Sequence, residues 1–157
     1  MMERISVDEY YIGIAKAVSV RGTCLRRVYG AVIVNNDEII STGYNGSPRG
    51  EENCCDAGQC ERERLGCKPG EHYELCCAVH AEQNCVISAS RAETIGSTIY
   101  LAGYDRTRSE WIDARPCKMC RRMLINAGVQ KIVAANADGT IYVSDVLCAS
   151  DNTTVNR

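Results

Sequence analysis

Cys77-Ala78-Val79-His80-Ala81-Glu82-Gln83-Asn84, answered further along by Arg115-Pro116-Cys117-Lys118-Met119-Cys120, is the stretch on which the reading of this chain turns. A helix is expected from Ala78 to about Ala92, with Val79, Ala81, Val86, Ile87 and Ala89 available for packing. A strand over Thr98 to Ala102 follows. Pro116 suits the first turn of another helix, which carries Met119, Met123 and Leu124 and stops at Asn126-Ala127-Gly128. Val129 to Ala135 then reads as a strand, Ala137-Asp138-Gly139 as a turn, and Thr140 to Ser144 as a short last strand. Strand–helix–strand steps of this kind argue for a mixed α/β sheet covered by helices.

Working outward, Ser6 caps a helix over Val7 to Val20, with Asp8 and Glu9 in its first turn. Ile12, Ala15 and Ser19 with Ile14 and Val18 give its apolar stripe, bordered by Tyr10 and Tyr11. Val28 to Val34 and Glu38 to Tyr44 read as a hairpin across Asn35-Asn36-Asp37, and Asn45 to Gly50 as a loop. Between Glu51 and Glu74 the chain is charged, rich in cysteine and poor in aliphatic residues, too poor to build a core of its own. Residues 1–157 thus read as one domain carrying a Cys-rich insertion at about 51–77. Gly103 to Arg115 is polar with Trp111 and Ile112 as apolar anchors, a lid or short hairpin. The tail after Cys148 is polar and expected to be mobile. An all-parallel dinucleotide-binding sheet is excluded, because the first two strands are hairpin-linked and no Gly-x-Gly-x-x-Gly loop follows a strand.

Eighteen basic and twenty acidic residues leave a formal charge of -2, with no long basic block. That balance disfavours nucleic acid as a partner, whereas a small anionic metabolite needs only one or two well-placed cations. No apolar run approaches the ~20 residues that span a bilayer, and Met1-Met2-Glu3-Arg4 opens no apolar signal segment. A cytoplasmic protein with no membrane partner is the expectation. There are eleven cysteines, six of them between Cys54 and Cys77. An odd count beside a metal-like pair favours thiols and thiolates over a disulfide framework.

His80, Cys117 and Cys120 supply one imidazole and two thiols, the number of ligands a catalytic zinc takes when its fourth position is kept for water. Cys117 and Cys120 are spaced i, i+3, so at a helix start they face one side, where exposed amides favour thiolates. Glu82 is dispensable as a ligand and suits a proton shuttle beside an activated water. Singly, each pair has blander readings: a Cys-x-x-Cys is more often redox-active or structural, and a helical histidine is usually packed or solvated. Together they point to zinc-dependent hydrolysis at an amidine-like carbon.

With these residues in view, the sequence resembles the cytidine and deoxycytidylate deaminase superfamily, most closely its deoxycytidylate (dCMP) branch. The matching blocks are Tyr29 to Val34, Ile39 to Pro48, Val79 to Asn84, Pro116 to Cys120 and Met123 to Val133, within roughly Ile5 to Ala135. The resemblance implies a three-layer α/β/α sandwich around a five-stranded mixed sheet, zinc on His80, Cys117 and Cys120, and proton transfer by Glu82. It implies a substrate contact at Asn45 and a 5′-phosphate contact at Arg26 or Arg27, with Arg49 comparable. An arginine corner of this kind binds phosphate through bidentate bonds. Tyr104 and Trp111 are expected either to close over the base or to anchor the segment that carries them. Some members hold a second, structural zinc before the catalytic histidine. Cys24 and Cys55 match that pattern, with Cys54, Cys60, Cys67, His72 and Cys76 as further candidates and the final set left open. Unligated thiols are the rival, and Cys85 and Cys148 read as small apolar fillers. Homo-oligomers, commonly hexamers, and control by dCTP and dTTP are likewise implied.

Two departures stand out: a longer segment between the Thr98–Ala102 strand and Pro116, and a short ending. The reaction expected is therefore dCMP to dUMP and ammonia. Another small-molecule or nucleoside deaminase on the same scaffold is the near alternative. A zinc-stabilised binding or redox protein is the alternative from another class.

Overall fold

The computed structural model describes residues 2–147. Helix α1 (Val7–Ser19) begins with a capping box: Ser6 Oγ accepts from the Glu9 amide at 3.1 Å, and Glu9 Oε2 accepts from the Ser6 amide at 2.7 Å. Two otherwise orphaned amides are satisfied in this way. Tyr11, Ile12, Ala15 and Ser19 form its buried face, so of the two tyrosines expected at the border only Tyr11 enters the core. Its hydroxyl keeps a partner there, donating to Asp37 Oδ1 at 3.0 Å. Strands β1 (Arg27–Asn35) and β2 (Glu38–Tyr44) form the expected hairpin. Its turn is set by Asn36 and Asp37 at φ 49° and 61°, a left-handed pair that these two residue types tolerate and that matches strand twist.

The insertion is three short pieces, α2 (Cys54–Ala57), α3 (Glu61–Arg64) and a 3-10 turn at Tyr73–Leu75. None contributes to the two apolar clusters of the core. Its organiser is Arg62, 6% exposed, which donates to the carbonyls of Lys68 at 3.1 Å and Glu71 at 2.6 Å and stacks on Tyr73.

The expected single helix from Ala78 to Ala92 is instead two, α4 (Ala81–Ile87) and α5 (Arg91–Thr94). It starts late because Val79 is held as a β-bridge to Gly46, with bonds of 2.8 and 3.2 Å. It breaks because Ser90 caps a fresh start, its hydroxyl accepting from the Glu93 amide. Strand β3 (Thr98–Asp105) runs three residues beyond its expected end into β4 (Glu110–Ile112), so the segment expected as a lid or hairpin is a hairpin. In α6 (Lys118–Ala127) Cys117 is the cap, which places Pro116 just before the helix and not inside its first turn. β5 (Lys131–Ala135) and β6 (Ile141–Asp145) complete the described chain.

The strands lie in the order β2-β1-β3-β5-β6, antiparallel except for the parallel pair β3 and β5. Five strands were expected; the short β4 is a sixth, pairing with the end of β3 that β5 leaves uncovered. Helix α1 packs Tyr11, Ile12 and Ala15 on one face of the sheet, against Val32, Val34, Tyr100, Ala102 and Val133. On the other face α4 and α6 bring Ala81, Cys85 and Leu124 against Ala31, Ile33, Ile99, Leu101 and Ile132. Both faces of β1 are therefore covered, which is why it reads as a nearly continuous apolar run. Two glycines set how closely the helices approach. A Cβ on Gly30 would run into the Ala15 carbonyl of α1, and one on Gly43 into the Ala81 carbonyl of α4. No described helix is long and apolar enough to cross a membrane. Cys148 and the tail beyond it lie outside the described residues.

Candidate active site

The face of the sheet covered by α4 and α6 carries the site. His80 is the N-cap of α4 and Cys117 the N-cap of α6, so the two helix starts converge. Gln83 Oε1 accepts from the His80 amide at 2.8 Å, fixing the turn that presents the imidazole. The Cys120 amide donates to Cys117 Sγ at 3.3 Å, the helix-start arrangement that favours a thiolate. Nδ1 of His80 lies 3.6 Å from Cys117 Sγ and 3.4 Å from Cys120 Sγ, and the three ligand atoms fall within 4.8 Å of one another. Tetrahedral zinc with bonds of about 2.3 Å to sulfur and 2.0–2.1 Å to nitrogen requires an N···S separation of about 3.5 Å. The residues therefore fit the ion, and one coordination position remains for water. Glu82, in the first turn of α4, is 3% exposed.

Asn45 follows β2 and is buried. Its Oδ1 accepts from the Tyr29 amide at 2.8 Å and its Nδ2 donates to the Arg27 carbonyl at 2.9 Å. The adjacent Gly46 bridges to Val79, so the loop is stitched to the backbone immediately before His80. Arg26 pairs with Glu63 at 3.4 Å, Arg27 Nε donates to Asp105 Oδ2 at 3.0 Å, and Arg49 lies exposed on the loop.

Tyr104 does not close over the site. Strand alternation puts it with Tyr100 and Ala102 on the α1 face, where it meets the edge of Trp111 at 5.1 Å; Trp111 packs with the α1 cluster and under Lys16. Of the two readings of that pair, the anchor is the one realised.

Among the described residues, His80, Cys117 and Cys120 are the only group of three metal-ligating side chains that converge. In the insertion the closest thiols are Cys54 and Cys77, 3.4 Å apart, and Cys77 is absent from the sequence-based candidates. Burial, and then its neighbours Cys77, Cys24 and Cys60, push the Cys54 thiol up to about 12. Cys76 is raised by burial and by Cys24, Cys77 and Cys60. Two candidates sit elsewhere: Cys55 is exposed with its thiol on Asp56, and the exposed His72 faces Glu74 at 3.0 Å. Cys85 is a buried filler as expected, its thiol pushed up to about 11 by burial.

Two polar residues escaped the sequence reading. Asp105, at the end of β3, is 3% exposed, and its carboxyl lies well below the ordinary range. Burial alone would raise it, but the Thr107 hydroxyl, the Arg27 guanidinium and the Arg108 and Thr107 amides more than reverse that. Arg106 Nη1 and Nη2 donate to the carbonyls of Cys24 and Gly22. An aspartate two residues before a threonine is a turn pattern that could have flagged the first. Nothing local could have flagged the second, whose partners lie far back in the chain.

Residues 5–136 match the family model described as the cytidine and deoxycytidylate deaminase zinc-binding region. A deoxycytidylate deaminase of Mycobacterium phage D29 is 34% identical over 137 residues, covering 84% of this chain and 96% of that protein. The deoxycytidylate deaminase of Schizosaccharomyces pombe is 32% identical; the match covers 83% of this chain but only 37% of that longer protein. The crystal structure of the cyanophage S-TIM5 dCMP deaminase in complex with dCMP and dUMP superposes with a TM-score of 0.61 at 27% identity, covering 86% of this chain and 85% of that one.

Proposed function

This chain belongs to the cytidine and deoxycytidylate deaminase zinc-binding family, and from that premise we propose that it hydrolyses dCMP to dUMP and ammonia. The observation that carries the reading is the convergence of His80, Cys117 and Cys120, with the buried Glu82 in the first turn of the helix that His80 caps. The phage D29 relative, matched over nearly its whole length, and the nucleotide-bound cyanophage structure support the choice of substrate. A redox role for Cys117 and Cys120 would leave His80 and Glu82 without work.

His80, Cys117 and Cys120 would hold the zinc, which when bound would supply Lewis acidity and lower the pKa of water towards about 7. Glu82 accepts a proton from the water that adds to C4 of the cytosine ring and passes it to N3. It then takes the proton of the new hydroxyl and delivers it to the departing amino group, which leaves as ammonia. Burial keeps bulk water from competing for the carboxylate. Asn45 holds the loop against β1 and presents its edge to the sugar or base. Arg26 and Arg27, with Arg49 on the loop, are the phosphate contacts; a guanidinium meets a phosphate through paired bonds.

A second, structural zinc would be held by thiolates drawn from Cys24, Cys54, Cys60, Cys67, Cys76 and Cys77. The 3.4 Å approach of Cys54 to Cys77 supports it, as does an insertion that has no apolar core to order it. Two zinc ions per chain by metal analysis, falling to one in Cys54→Ser, is the expected result. The protein acts in the cytoplasm as a homo-oligomer, a hexamer on the family pattern, under control by dCTP and dTTP. Eleven cysteines, an odd count beside a metal-like pair, suit a reducing compartment.

The test is ammonia release by zinc-loaded protein offered dCMP, deoxycytidine, CMP and cytosine in parallel, with and without dCTP. Strong preference for dCMP is expected. Comparable turnover of deoxycytidine overturns the substrate, and silence with all four overturns the reaction.

A further inference from the structure

The β3–β4 hairpin lies in the segment expected to be longer than the compact form of the family, and it holds a costly group. Asp105 is 3% exposed, and a carboxylate that deep persists only if its oxygens are matched. Oδ1 accepts from the Thr107 amide at 2.9 Å, the Thr107 hydroxyl at 2.6 Å and the Arg108 amide at 3.1 Å. Oδ2 accepts from Arg27 Nε at 3.0 Å and from the Arg108 guanidinium at 3.3 Å. Arg27 and Asp105 are direct partners in the β1–β3 register. Alternation places both on the face that carries Ala31 and Leu101, the face covered by α4 and α6.

The next residue continues the grip. Arg106 donates through its guanidinium to the carbonyls of Gly22 at 2.9 Å and Cys24 at 2.8 Å, and through its amide to the Arg26 carbonyl at 2.8 Å. Two consecutive residues thus hold Gly22 to Arg27 at one side chain and three carbonyls. That same segment meets Asn45: the Thr23 amide donates to the Asn45 carbonyl at 3.0 Å, and Asn45 Nδ2 to the Arg27 carbonyl. The metal ligands take no part, since they come from the starts of α4 and α6. Arg26 pairs with Glu63, Arg27 and Arg108 with Asp105, and Arg108 also with Glu110, while the Arg106 guanidinium donates to carbonyls.

We propose that Asp105 is a positioning residue for the nucleotide phosphate: it fixes the Arg27 guanidinium, and with Arg106 it makes Gly22–Arg27 a rigid corner for a 5′-phosphate. The hairpin is a fixed buttress and not a lid. This rests on the reading of the protein as a nucleotide deaminase, and a binding readout separates the two.

Calorimetric titration of zinc-loaded protein with dUMP and with deoxyuridine isolates the phosphate. For Asp105→Asn, dUMP affinity falls about tenfold, the scale of one hydrogen bond to a charged group, while deoxyuridine affinity and zinc content stay at wild-type values. Arg106→Gln leaves no buried charge unpaired and keeps the test open should Asp105→Asn fail to fold; a smaller loss in the same sense is expected. An unchanged dUMP-to-deoxyuridine affinity ratio in the folded variants makes the network purely structural and overturns the proposal. Equal affinities in the wild type overturn the phosphate corner itself. Failure of the deaminase reading registers separately, as a wild type that binds dUMP selectively yet releases no ammonia from dCMP.

Discussion

The metal centre and the Cys-rich insertion use the same side chains and place them by different means. Cys117 and Cys120 are set by a helix start whose body packs Leu124 into the core, and His80 by one whose body packs Ala81 and Cys85. Their geometry is inherited from close-packed sheet and helix, so three ligand atoms converge. Cys54, Cys60, Cys76 and Cys77 sit on pieces of four residues or fewer and on loops; Cys54 and Cys77 approach to 3.4 Å, but among the described residues no group of three ligand atoms converges there. Arg62 is the one buried side chain tying those pieces together. Ligands on core-packed elements are preorganised for an ion; ligands on loops are ordered by the ion they bind.

The sharpest way to break that contrast is Glu82→Gln. A loss of more than ~10²-fold in ammonia release is expected, from removal of proton transfer, with zinc content and the proteolysis pattern of the insertion unchanged. A near-normal rate with intact metal would sink the role given to Glu82.

Two glycine substitutions sharpen it. Gly43→Ala forces α4 off the sheet and Gly30→Ala forces α1 off the opposite face. Overpacking of this kind costs about 1–3 kcal/mol by chemical denaturation. The turnover number should fall in Gly43→Ala, because α4 carries His80 and Glu82, and hold in Gly30→Ala. Equal effects on rate would mean that the centre is not anchored where the packing indicates.

Arg62→Met tests the other region. It strips the Lys68 and Glu71 carbonyls of their donor, about 1–3 kcal/mol of local destabilisation. Faster proteolysis confined to residues 58–76 is expected, with catalytic zinc retained; general loss of the fold would contradict the insertion's independence.

Smallest of all is a control far from both. The Glu9 carboxyl is held below its ordinary value by the Ser6 amide and then the Ser6 hydroxyl. A group depressed on folding contributes stability above its unfolded pKa, near 4.3, and loses that contribution as pH falls through its folded value. Glu9→Gln should flatten the slope of the thermal midpoint against pH in that acid range and leave ammonia release untouched.

The hairpin Arg27–Tyr44, the helix from Val7, the strands after Gly96 and Gly128 and the ligand set were all legible in the sequence, because periodicity, caps and ligand spacing are local. The break after Ile87 was harder, since Ser90 competes as a cap within an unbroken helical pattern. Tyr104 was left between two readings and Asp105 missed for a single reason. Neighbours on a strand face opposite sides, and only pairing with β1 and β4 decides which side meets the metal centre.

By itself, then, the sequence determined the ligand set: His80, Cys117 and Cys120, with Glu82 close behind the histidine, are marked by residue type and spacing at two helix starts. Tertiary structure alone decided that Cys54 meets Cys77 while Cys55 turns to Asp56, and that Asp105 and Arg106 brace Gly22–Arg27 from eighty residues away. Those contacts depend on loop paths and sheet register, which short-range patterns do not encode.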